Sequence, residues 1–115
     1  MSSSRETAPV LVLGLDGACL EVVEPLLAAG RLPQLAALRA QGQTRRLRST
    51  TPPMSFPAWS SFATGLSPGQ HGLFDFTQKL PGEYRLRFAS AADRAGETCF
   101  GRVSRAGGQV LSLGM

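Results

Sequence analysis

The chain has 115 residues, 43% of them hydrophobic and 17% charged, which fits a globular domain and excludes a collagen-like or low-complexity polypeptide. Twelve cations, eleven of them arginine, stand against eight anions for a net charge of +4, a surplus that suits an anionic ligand without selecting one. The two cysteines, Cys19 and Cys99, form neither a disulfide framework nor a metal-ligand spacing, and no apolar run approaches the ~20 residues of a membrane-crossing helix. A cytoplasmic protein without a membrane span is the expectation.

Residues 1–7 are polar and read as a disordered tail. Pro9-Val10-Leu11-Val12-Leu13 is an unbroken, β-branched apolar run, which predicts a parallel strand covered on both faces and stopped at Gly14 to Gly17. Val22, Val23, Leu26 and Leu27 recur at helical spacing, with Gly30 as the stop. Pro25 falls inside that pattern and predicts a kink or a late start. Pro33 opens a second helix, with Leu35 and Leu38 on one face, and Gly42 closes it.

Residues 46–49 are a further candidate strand. The spacing of Trp59, Phe62 and Ala63 predicts a short helix over 57–64 with those three side chains inward and Gly65 as its cap. Residues 66–72 carry Ser-Pro-Gly and His-Gly turn signals and predict a loop. Tyr84-Arg85-Leu86-Arg87-Phe88 alternates as a half-buried strand does. A helix over 98–106 and a second parallel strand over 109–113 complete the prediction. Strand, helices, strand is the order of an α/β sheet. Ligands in such sheets gather at the carboxyl ends of several strands, and this sequence holds too few to finish such a site. It is expected to be the first segment of a larger domain.

Two residues stand out chemically. Asp16 lies just past the first predicted strand, between Gly14 and Gly17, where a carboxylate projects from the sheet edge and glycines let a ligand approach. Its ordinary alternative is a cap for the helix that follows. Ser55 follows the stiff Thr50-Thr51-Pro52-Pro53 stretch and precedes a helix, whose amino-terminal field favours an alkoxide and binds phosphate oxygens. Its alternative is a simple N-cap serine. His71 is the single histidine, a turn residue more naturally than a metal ligand, since a zinc site takes three or four ligands. Arg45, Arg46 and Arg48 could meet phosphate or lie on a solvated strand.

The Leu13-Gly14-Leu15-Asp16-Gly17 motif, the segment from Thr51 to Gly65 and the run Ser67-Pro-Gly-Gln-His-Gly-Leu-Phe-Asp-Phe76 together resemble the amino-terminal part of the type I phosphodiesterase/nucleotide pyrophosphatase family, within the alkaline phosphatase superfamily. The likeness runs from about Pro9 to Leu113. It implies an α/β fold, a partial alkaline-phosphatase-like parallel sheet with flanking helices, in which residues 8–115 are the amino-terminal part of the hydrolase domain. It further implies a phosphate-ester small-molecule substrate, Ser55 as catalytic nucleophile, and Asp16 and Ser55 as ligands to two divalent metal ions, usually zinc. The remaining Asp and His ligands belong to a carboxyl-terminal part of the domain, so the 115 residues alone are expected to be catalytically incomplete. A small Arg-rich nucleic-acid-binding or interaction module is the alternative, disfavoured because the sequence offers no recognition helix.

Overall fold

A computed structural model describes residues 8–114, so the tail expected over 1–7 lies outside the described residues. The chain divides into two compact units, Met1–Arg46 and Leu47–Met115.

The first unit is a helical hairpin of α1 (Leu20–Ala28) and α2 (Pro33–Gln41). α1 starts at Leu20, well upstream of Pro25, so the proline does not delay it. It only removes the amide that would have bonded the Glu21 carbonyl. The helix stops at Gly30, whose φ of +68° lets Gly30 N–H reach the Leu27 carbonyl and Arg31 N–H reach that of Leu26. These paired bonds satisfy carbonyls the helix leaves unbonded. Arg39 on α2 donates to the Glu24 carboxylate on α1 at 2.7 Å, which holds that carboxyl below its usual range. Leu20, Val23 and Leu27 of α1 with Leu35 of α2 line an open, mostly apolar groove of about 450 Å³.

The predicted strand over 9–13 is not formed. Val10 and Leu11 are 87% and 93% exposed, and among the described residues no backbone hydrogen bond involves residues 8–14. A parallel strand is stable only when neighbours pair its edges and helices cover its faces, and no such neighbour exists among the described residues.

The second unit contains α3 (Ser55–Thr64), α4 (Pro68–His71), β1 (Thr77–Lys79), β2 (Leu86–Phe88), a 3-10 turn (Ala91–Asp93) and α5 (Cys99–Arg105). Its small core gathers where α3 meets α4: Pro57, Ala63, His71 and Leu73 are buried, the last two completely. Gly65 ends α3 at φ +72°, as its position predicts. Phe62, expected inward, is 45% exposed and stands edge-on to the half-buried Trp59 at 5.8 Å between ring centroids.

The sheet among the described residues is this β1–β2 pair, antiparallel, with Thr77 opposite Phe88 and Lys79 opposite Leu86. Neither 46–49 nor 109–113 is a strand. β2 falls within the predicted 84–88 run but is exposed rather than half-buried, because the Leu86 and Phe88 face has no layer against it. Its other face is anchored: Arg87 forms a two-pronged pair with Asp93 and also reaches Gln78. α5 starts at Thr98, whose hydroxyl accepts from Gly101 N–H at 3.1 Å. Among the described residues no helix is long and apolar enough to cross a membrane.

Candidate functional site

Asp16 lies in a turn with Gly17, whose φ of +71° only glycine adopts without strain. The turn closes through Cys19 N–H to the Gly17 carbonyl at 2.9 Å, and Cys19, not Asp16, is the N-cap of α1. The N-cap position that the sequence leaves open to Asp16 is filled by Cys19. The carboxylate is exposed, and Asp16 is not among the walls of the neighbouring apolar groove.

Ser55 is likewise not an N-cap. Met54 fills that position with extended backbone, and Ser55 is the first residue inside α3, which begins two residues earlier than the 57–64 pattern predicts. The entry is shaped by the segment before it: Thr50 Oγ1 donates to the Pro52 carbonyl at 2.8 Å, and Met54 N–H bonds the same carbonyl at 3.0 Å. Ser55 is thus half-buried at the positive end of a ten-residue helix. Its neighbour Phe56 stacks on Phe76 with centroids 5.5 Å apart and planes inclined by 29°. Sequence reasoning missed this aromatic wall, since the 20-residue separation across α4 leaves no periodic signal.

His71 is completely buried and bonded at both ring nitrogens. Leu73 N–H donates to Nδ1 at 3.1 Å, and Nε2 lies 3.0 Å from Ser61 Oγ. Both ring nitrogens are thus used within the fold, and His71 is the last residue of α4, a short helix where the sequence predicts a loop over 66–72. Among the described residues no three or more His, Cys, Asp and Glu side chains gather as a metal-holding group. Asp16 belongs to the first unit and Ser55 to the second. Arg39, Arg46, Arg85, Arg87, Arg102 and Arg105 are each paired with a carboxylate, a dispersal unlike a basic stripe that tracks a nucleic-acid backbone.

Comparison with known proteins agrees with the resemblance. The profile of the type I phosphodiesterase / nucleotide pyrophosphatase family matches residues 10–107. Human ectonucleotide pyrophosphatase/phosphodiesterase family member 1 is 37% identical over 86 residues, which cover 71% of this chain and 9% of that protein. The chain thus spans less than a tenth of that relative's length. No solved structure matches. A match over 98 of 115 residues, taking in both the Asp16 turn and the Ser55 helix, places the chain in the type I phosphodiesterase/nucleotide pyrophosphatase family.

Proposed function

We propose that this chain carries the nucleophile-bearing part of a metal-dependent phosphodiester or phosphate-ester hydrolase acting on a small molecule, with Ser55 as nucleophile and Asp16 and Ser55 as metal ligands. The observation that carries this reading is the place of Ser55, inside the first turn of α3 rather than on its cap. There the hydroxyl lies at the amino-terminal end of the helix, whose field favours negative charge on it and on a phosphate beside it. Ser55 Oγ, having given up its proton, attacks phosphorus. The new O–P bond forms as the bond to the leaving alcohol breaks, and the alcohol takes up a proton. Water then adds to phosphorus, the Ser55 Oγ–P bond breaks, a phosphate monoester leaves from a diester or inorganic phosphate from a monoester, and a proton returns to Oγ.

Two divalent cations, zinc being usual in the superfamily, would supply charge that favours the serine alkoxide. The residues present do not by themselves fit such a pair: the carboxylate and the hydroxyl are two donors, and His71 is committed elsewhere. The missing ligands are assigned to polypeptide outside these residues. The same polypeptide would supply the strands that turn 9–13 and 109–113 into a parallel, alkaline-phosphatase-like sheet.

The test is hydrolysis of an aryl phosphodiester by the 115-residue chain with added zinc or manganese. Low, metal-stimulated turnover that vanishes in Ser55→Ala and falls about tenfold or more in Asp16→Asn is expected. Turnover unchanged in Ser55→Ala would overturn the assignment of the nucleophile. Vigorous turnover lost in Ser55→Ala would keep the nucleophile and overturn the claim that ligands are missing.

A further inference from the structure

We propose that His71 and Ser61 form a tautomer-specific bolt that positions α3, and with it the Ser55 hydroxyl; the link to Ser55 rests on the reading of Ser55 as nucleophile, while the bolt itself does not. The argument begins at Nδ1. A backbone N–H can only donate, so the 3.1 Å contact from Leu73 N–H requires Nδ1 to be unprotonated. The neutral ring then carries its hydrogen on Nε2 and donates it to Ser61 Oγ at 3.0 Å. His71 also accepts from Ala95 N–H at its own carbonyl, at 2.9 Å. One completely buried residue therefore ties together the middle of α3, the turn at Gly72–Leu73 and the segment that leads to α5.

The placement along α3 explains what the bolt does. Ser61 lies six residues after Ser55, and at about 100° per residue the two project from different sides of the helix. Ser61 thus grips α3 away from the side that carries Ser55. Thr64 Oγ1 does not share the task, since it is turned to its own helix and donates to the Ser60 carbonyl at 2.7 Å. Pro57 and Ala63 offer only packing. The neighbouring α4 is held rigid by its own cap, where Gln70 Oε1 accepts from both the Ser67 amide and the Ser67 hydroxyl at 3.0 Å. The contact between His71 Nε2 and Ser61 Oγ therefore ties α3 to this capped turn of helix.

The chain has a single histidine, so one nitrogen-15 spectrum of the full 115-residue protein reads the ring without assignment ambiguity. The expected result is the Nε2–H form, with a slowly exchanging Nε2 proton. Ser61→Ala should speed amide exchange in α3 roughly threefold to tenfold, the loss set by one hydrogen bond, and leave the hairpin amides of 77–79 and 86–88 unchanged. Ser61→Thr, which keeps the hydroxyl, should restore the wild-type rates. An Nδ1–H ring, or a Ser61→Ala effect spread equally over α3 and the hairpin, would overturn the proposal. These readouts need neither metal nor substrate, so they stand or fall separately from the hydrolase test.

Discussion

Asp93 shows how much one side chain can hold in a small unit. Its carboxylate accepts from both terminal nitrogens of Arg87 and from the backbone N–H and hydroxyl of Ser90 at 2.8 and 3.0 Å. The Arg87 contact first, and the Ser90 amide second, hold its pKa well below the usual carboxylate range. Because the folded value is the depressed one, the stabilisation is complete above the unfolded value of about 3.9 and is lost as pH falls through the folded value. The Ser90 amide resonance should therefore stay constant from neutral pH to about pH 4 and shift only below it. Asp93→Asn should abolish that shift; a midpoint near the unfolded value in the wild type would contradict the pairing. The glycines and prolines around Asp16 and Ser55 mark both as candidates in the sequence, but not that Cys19 and Met54 hold the cap positions, because which residue is the cap turns on a shift of one to three residues in helix register.

Helix boundaries were the most readable elements, since each is written in a residue with one physical use. Pro33 opens α2, Thr98 caps α5, and Gly65 closes α3. Thr98→Ala should cost about 1 kcal/mol in urea unfolding, the loss of one cap bond. Gly65→Ala should cost about 1–2 kcal/mol through backbone strain alone, because nothing lies within 4 Å of the added carbon. Leu73→Ala removes a completely buried side chain and should cost about 2–5 kcal/mol. A loss below about 1 kcal/mol would mean that this core relaxes around the gap. β1 escaped the sequence reading because Thr77-Gln78-Lys79 has no apolar alternation; it pairs through its backbone and through Gln78 and Arg87. The opposite failure occurs at 9–13 and 109–113. Their hydrophobicity describes a buried environment, and that environment depends on neighbours that their own residues do not encode.

At the scale of the molecule, the family motifs correctly announce its kin. What they do not announce is how little of the apolar surface these residues cover among themselves. Val10, Leu11, Leu111 and Leu113 are all largely exposed. Unpaired apolar segments of this kind promote strand-to-strand association. Sedimentation of the chain at tens of micromolar should show species larger than a monomer, and Leu11→Lys combined with Leu111→Lys should shift them toward the monomer. A wild-type chain that sediments as a monomer throughout would show that the two segments are protected in solution.

The position of Trp59 decides how such experiments must be monitored. It is the single tryptophan, and it lies in α3, within Leu47–Met115. Intrinsic tryptophan fluorescence therefore reports directly on the surroundings of the helix that carries Ser55. The hairpin that follows Asp16 has no tryptophan of its own, so a chromophore placed before Arg46 is what gives that unit a direct optical signal.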